Sequence, residues 1–276
     1  MRDTNAMSAI ITVEAMDKIF RTPDGADVHA LAGIDLTVRQ GEFVSFIGPS
    51  GCGKSTLLRI IADLIQPTSG RVTVNGKPAS QARRDRDYGF VFQNATLYEW
   101  RTVLKNVQLP LEIMQYSKDE RESRAREMLK MVELAGFEEK YPWQLSGGMQ
   151  QRVSIARALA FEPRILLMDE PFGALDEMTR ERMNNELLRI WSGLTGMTVI
   201  FVTHSIAEAV YLSDRVVVMS ARPGRVSTII PIDLPRPRGP ETRDLEAFFH
   251  LTGQVRHALR GTTPTGAGAA RRAVED

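Results

Sequence analysis

Residues 48–56 read GPSGCGKST, directly after the apolar run FVSFI at 43–47. A short buried strand that stops at a glycine is followed by Leu57, Leu58, Ile61 and Leu64 at helical spacing, which predicts a helix over 54–65. A glycine-rich turn between a strand and a helix fits the pattern G-x-x-x-x-G-K-[ST] in its proper setting. Gly48, Gly51 and Gly53 let backbone N–H groups converge on one point without side-chain obstruction. Pro49, Ser50, Cys52 and Thr56 complete the loop, and at the variable position of Cys52 a small side chain is requirement enough. The helix directs its positive end at the same point. Lys54 adds a cation for β- and γ-phosphates, and Ser55 offers a hydroxyl to Mg²⁺. A plain glycine turn before a helix would need none of Lys-Ser-Thr.

The texture of the chain around this loop predicts an α/β fold. Ile11, Val13 and Ala15, then Leu31, Ile34, Leu36 and Val38, alternate with polar residues as strands of a small, partly antiparallel N-terminal sheet. Further short strands follow at 72–74 and 88–92. Residues 117–135 read as an amphipathic helix, with Ser117 and Glu120 at capping-box spacing, Ala125, Met128, Leu129, Val132 and Ala135 on one face, and Gly136 as a stop. Residues 94–160 as a whole read as a helical lobe inserted into the sheet domain. Strands resume at 165–168, 199–202 and 215–219, with helices at 177–192 and 205–212 between them. That alternation predicts a mainly parallel, doubly covered sheet. A last strand is expected at 225–232 and a terminal helix within 241–260. The Gly-, Thr- and Ala-rich residues 261–276 are expected to fray.

Two further strings carry chemistry. ILLMDEP at 165–171 is a buried strand ending in two carboxylates. A buried carboxylate is costly unless paired or near a metal, so Asp169 suits the shell of Mg²⁺. Glu170, one residue on, can act as general base or position a water. LSGGMQQR at 145–152 opens a helix: Ser146 is a good N-cap, and Gly147 and Gly148 leave the first amides bare. Bare amides at a helix start make a second anion site. One chain with one nucleotide has no need of two such sites, unless the second completes a nucleotide bound to a neighbouring copy.

Composition excludes several classes. The 276 residues allow one substantial core, and a formal net charge of +1 supplies no basic field for nucleic acid. The pairs Arg83-Arg84 and Arg271-Arg272 read as solvated surface. Cys52 is the one cysteine, so no intrachain disulfide can form. The N-terminus lacks the features of a signal peptide, and no run approaches the ~20 apolar residues of a membrane span. The chain is expected to be soluble by itself, with any membrane role coming through partners.

With these strings together, residues 8–235 resemble the ATP-binding subunit of an ABC transporter. The resemblance implies a P-loop ATPase fold with ATP and Mg²⁺ as ligands, spanning residues 8–240. It implies that Gln93, after YGFVF, senses Mg²⁺ and links to membrane subunits. His204, after VIFVT, stands as the switch histidine at the γ-phosphate, and Asp176 in GALD meets the opposite subunit. The same resemblance implies that Phe20 stacks on adenine. Catalysis is thus expected of Glu170, His204, Lys54 and Gln93, with metal contacts from Ser55, Gln93 and Asp169. His204 precedes Ser205 and Glu208, read as a capping box, which leaves the imidazole free to face ligand. Met149 stands where the commonest signature has Gln, and its side chain is expected to point away from phosphate.

The string LYEWRTVLKNVQLPLE at 97–112 and MSARPGRV at 219–226 resemble the nitrate, sulfonate and taurine import branch, although Glu99 replaces the proline expected before Trp100. Tyr98 and Trp100 would suit a socket for a permease helix. The implied assembly is an ATP-dependent homodimer on the cytoplasmic face of the membrane. It is held there through permease subunits at the Gln93–Trp100 region and served indirectly by a solute-binding protein. Two alternatives remain open: export or lipoprotein release, and an ABC ATPase acting on nucleic acid, whose coiled coils, tandem cassettes or basic arms the chain lacks.

Overall fold

The computed structural model describes residues 8–194 and 196–261. Two sheets organise it. Strands β1 (Ala9–Arg21), β2 (Asp27–Arg39), β4 (Ser69–Val74) and β5 (Lys77–Pro78) form an antiparallel sheet in the order β2-β1-β4-β5. The second sheet runs β10-β9-β3-β8-β7-β6, from β3 (Phe43–Ile47), β6 (Tyr88–Val91), β7 (Ile165–Asp169), β8 (Thr198–Val202), β9 (Arg215–Met219) and β10 (Val226–Pro231). Its pairings are parallel except β10 with β9.

Every residue of β3, β7 and β8 is buried, as a parallel sheet covered on both faces requires. The two-residue period of a strand then sorts side chains between two cores. Val44, Phe46, Ile165, Leu167, Ile200 and Val202 join the core under the antiparallel sheet and helix α1 (Lys54–Ile61). Phe43, Ile47, Leu166, Met168, Val199 and Phe201 join the core on the opposite face. There they meet α6 (Glu177–Gly193), α7 (Ile206–Leu212) and α8 (Glu246–Gly261). A short α2 (Ala79–Arg84) follows β5.

Between β6 and β7 the chain builds only helices: α3 (Val103–Ile113), α4 (Lys118–Met131), a 3₁₀ turn at Pro142–Gln144 and α5 (Gly147–Leu159). The Ser117–Glu120 capping box on α4 forms as read, with both reciprocal bonds present. The far end does not. The helix stops at Met131, Glu133 turns into the left-handed region at φ 58°, and Leu134 rather than Ala135 enters the core. Similarly α1 ends at Ile61, because Asp63 adopts φ 50° and Leu64 is left 49% exposed. The Asp63 carboxylate is held there by Arg83 at 2.8 Å and Gln66 at 2.7 Å. The expected terminal helix divides into a 3₁₀ turn at Pro240–Asp244 and α8, separated by Leu245 in extended geometry. Most of the tail expected from 261 onward lies outside the described residues, as do residues 1–7.

Candidate active site

The phosphate loop sits at the C-terminal edge of the parallel sheet, where β3 ends. Its glycines are obligatory for two reasons. Gly51 and Gly53 have φ of 74° and 96°, which side chains rarely adopt. A Cβ on Gly53 would also lie 2.5 Å from Leu31 Cδ2, and one on Gly48 would lie 2.7 Å from Cys52 Sγ. Lys54 folds back over the loop: its Nζ donates to Gly48 O at 2.9 Å and Pro49 O at 3.2 Å. Cys52 is buried, and burial pushes its thiol above the usual range. Its side chain packs in the core, so packing accounts for it.

Opposite the loop stands the end of β7. Asp169 is only 3% exposed. Ser55 Oγ donates to its Oδ1 at 2.6 Å, and Arg59 Nη2 donates to its Oδ2 at 3.3 Å. The buried carboxylate is thus paired on both oxygens. Glu170 turns the chain sharply, at φ 47°, and its N–H donates to Val202 O at 3.0 Å. This left-handed geometry in a non-glycine residue costs ~1 kcal/mol or more and is typical of functional turns. Its carboxylate oxygen lies 3.5 Å from Nδ1 of His204, at the end of β8. Both face Gly173, whose Cα leaves room for them: a Cβ there would be 3.7 Å from each.

A cleft of about 280 Å³ runs across this edge. Phe20, Val28 and Ala30 of the antiparallel sheet wall one end, and Ser50, Gly51, Gly53 to Thr56 and Glu170 line the rest with Arg222. Phe20 is 38% exposed, with Lys18 Nζ 4.8 Å from its ring centre. An uncovered aromatic at the mouth of a phosphate loop is a ready stacking face.

The capped start of α5, the second candidate anion site, lies elsewhere. Ser146 caps α5 and accepts from the Met149 N–H at 3.3 Å. With Gly147, Gly148 and Met149 it lines a separate cleft of about 260 Å³ against Leu175, Asp176 and Thr179 of its own chain. Met149 also packs partly buried on the core. Asp176 caps α6 by accepting from the Thr179 N–H at 3.0 Å, and that bond holds its carboxyl below the usual range. Gln93 follows β6, is exposed, and does not line the phosphate-loop cleft. The segment after it is braced from α5: Gln151 donates to Phe92 O, and Arg157 donates to Ala95 O and Thr96 O.

One local expectation is corrected. Ser205 caps α7, accepting from Glu208 N–H at 3.4 Å, but Glu208 does not reach back to close a capping box. Its carboxylate is buried and accepts from the Thr203 hydroxyl, with Arg180 at 3.8 Å. Thr203 Oγ1 takes over the Ser205 N–H instead, at 2.9 Å. Two arginines of the site, Arg59 on Asp169 and Arg222 in the cleft lining, are absent from the sequence-based expectations. Arg59 was legible, four residues after Ser55 on one helical face. Arg222 lies in the string MSARPGRV but has no local signal that would send it to the phosphate loop.

Residues 31–173 match the family model described as ABC transporter. The chain belongs to that family. This cassette is 55% identical to the uncharacterized ABC transporter ATP-binding protein MJ0412 of Methanocaldococcus jannaschii, over 86% of this chain and 88% of the relative. It is 44% identical to the taurine import ATP-binding protein TauB of Rhizobium johnstonii, over 92% and 97%. Among solved structures, a dimeric post-hydrolysis state of the ATP-binding cassette MJ0796, bound to ADP and Pi, superposes with a TM-score of 0.71. That match has 39% identity and covers 83% of this chain and 99% of the other. As an ABC ATP-binding subunit, the cassette is an ATPase coupled to transport. Among the described residues no helix is long and apolar enough to cross a membrane.

Proposed function

We propose that this cassette energises an importer of a small anionic or organic solute, of the nitrate, sulfonate and taurine type, by closing as a dimer around two Mg-ATP. The observation that carries the chemistry is the meeting of Lys54, Ser55, Asp169, Glu170 and His204 at the ends of three neighbouring parallel strands. Lys54 exchanges its two carbonyl partners for β- and γ-phosphate oxygens. Ser55 and Asp169, already 2.6 Å apart, are hard oxygen donors that would hold Mg²⁺. The metal supplies charge neutralisation at the β- and γ-phosphates. Gln93, on the exposed turn after β6, would add an amide oxygen to the same donor set. Glu170 accepts a hydrogen bond from the attacking water, and His204 donates to the γ-phosphate. Phe20 stacks on the adenine.

The separation of the two clefts supports a shared site. Ser146 to Gly148 face their own Asp176 rather than their own phosphate loop, so they are free to cap a nucleotide held by a second copy. The Gln93–Trp100 region then passes closure to permease subunits, which hold the cassette at the cytoplasmic face of the membrane. A solute-binding protein acts only through the permease. The likeness to a taurine import subunit supports import and the solute class.

The test is light scattering of Glu170→Gln with ATP, alone and combined with Ser146→Arg. Glu170→Gln is expected to dimerise with ATP, and Ser146→Arg is expected to abolish the dimer. Wild-type ATP turnover by the Ser146→Arg single variant would overturn the cross-subunit site.

A further inference from the structure

The phosphate-loop cleft contains a cation with no structural employment. Arg222 sits in the turn between β9 and β10, and its Nη2 makes a single long hydrogen bond, 3.5 Å to Gly51 O. It meets no carboxylate within ion-pair distance among the described residues. The neighbouring arginines are committed: Arg59 to Asp169, and Arg225 to Ala32 O at 3.3 Å. Lys54, the other cation lining the cleft, is bound to two carbonyls.

The turn that carries Arg222 is fixed on both sides. Gly224 pairs with β2 through its N–H to Ala30 O at 2.9 Å and its carbonyl to the Ala32 N–H at 3.0 Å. It packs so tightly on the phosphate loop that a Cβ would lie 1.9 Å from Cys52 O. Ser220 and Arg225 close the turn: Ser220 N–H donates to Arg225 O at 3.0 Å, and Arg225 N–H donates to Ser220 Oγ at 3.1 Å. The guanidinium is therefore presented over Gly51 by a rigid support, with its Nη2 3.3 Å from where a Cβ on Gly51 would be.

Strand order tells which end of a ligand it would meet. β9 flanks β3 on one side, and β8 and β7 lie on the other. Arg222 therefore stands on the flank opposite Glu170 and His204, beside the wall of Phe20, Val28 and Ala30. Glu170 and His204 serve the terminal phosphate. A guanidinium on the other flank faces the phosphates nearer the ribose.

We infer that Arg222 is a nucleotide-binding residue, donating to the α- or β-phosphate of the nucleotide bound in the cleft. The inference rests on the reading that this cleft takes ATP. Guanidinium–phosphate bonds are charge-assisted and directional, and one near solvent weakens with salt.

The experiment is calorimetric titration of the full chain with MgADP, and of its Glu170→Gln form with MgATP, each with and without Arg222→Ala. Arg222→Ala is expected to weaken both nucleotides about fivefold at low salt, with Arg222→Lys in between. The loss should shrink as KCl is raised from about 0.05 to about 0.5 M. Since ADP has no γ-phosphate, an effect on ATP with ADP unchanged would overturn the placement. Affinities for both ADP and ATP equal to the wild type, in a variant with unaltered thermal unfolding, would overturn the inference altogether. Should Arg222→Ala fail to fold, Arg222→Gln is read by the same criteria. Failure of the unsubstituted chain to bind either nucleotide would instead sink the ATP-site reading itself.

Discussion

At the scale of single residues, the cation of the phosphate loop is engaged by the loop's own backbone. Lys54 is buried and satisfied by Gly48 and Pro49 carbonyls, so a nucleotide must offer better partners than these, and phosphate oxygens do. Lys54→Ala is expected to weaken MgATP binding at least about tenfold, as read by equilibrium dialysis; affinity equal to the wild type would remove Lys54 from the proposed site. Glu170→Gln keeps the shape and loses the base. Its turnover is expected to fall about 100-fold or more while nucleotide affinity is kept, and a drop in affinity with turnover per bound ATP intact would show that Glu170 binds rather than positions water. These residues were legible because phosphate chemistry demands particular types at fixed spacing. Asp169 is legible as a buried acid at a strand end, and the family resemblance puts it with Ser55 on one metal, but their direct hydrogen bond is not legible. That pairing joins residues 114 positions apart, and only the sheet order brings them together.

Elements show where sequence reading works and where it stops. β3, β7 and β8 were plain because a strand buried on both faces must be apolar throughout. Helix ends were misread at Leu64 and Ala135, since the signals there are non-glycine residues, Asp63 and Glu133, in left-handed geometry. The Ser205–Glu208 spacing looked like a local cap, whereas the tertiary environment draws Glu208 inward to Thr203 and Arg180. This has a consequence for stability. Burial pushes the Glu208 carboxyl above its usual range, against smaller opposing effects of Thr203, Arg180, His204 and Asn184. The folded state therefore holds a proton that the unfolded chain, with a carboxyl near ~4.3, has already released. The stability this contributes is present in full below about pH 4 and is lost as pH rises through the raised folded value. Glu208→Gln should unfold at the same temperature as the wild type near pH 4 and progressively higher than it toward neutrality. A gap that is constant across that range would show that the change acts through packing or hydrogen bonding alone. The same logic of tertiary fit governs Gly224. Gly224→Ala must push the turn off Cys52 O, so a loss of about 2 kcal/mol or more is expected in urea unfolding; a loss below about 0.5 kcal/mol would mean that the turn is free to lift.

For the molecule as a whole, the question is how a change in the cleft reaches a membrane partner. The turn after β6 leaves the sheet beside Gln93 and runs at once into exposed aromatics. Trp100 is 73% exposed and Tyr98 41%, with ring centres 4.8 Å apart. Their support is unusually firm for surface residues. Buried Asn106 accepts from the Tyr98 N–H at 2.8 Å and donates to the carbonyls of Tyr98, Arg101 and Thr102. Arg157 and Gln151 tie the preceding residues to α5, the helix that begins at Ser146. One rigid helix thus connects the end proposed to cap a partner's nucleotide with the segment proposed to grip the permease. A pair of aromatics held in place without a covering side chain is the composition of an interface hot spot. The sequence revealed the aromatics but not the Asn106 scaffold, because a buried asparagine on a helix has no distinctive spacing. Trp100→Ala is expected to leave MgATP affinity of the isolated chain as in the wild type, because no atom of Trp100 lines the phosphate-loop cleft. Co-purification with the permease should fall about tenfold or more, the cost of a central aromatic anchor. Asn106→Ala should produce the same uncoupling without removing either aromatic ring, since the segment would lose its four bonds. If Asn106→Ala held the permease as tightly as the wild type while Trp100→Ala did not, the ring alone would make the contact and the scaffold would be irrelevant. If both variants kept the permease, force would have to leave the cassette through another surface.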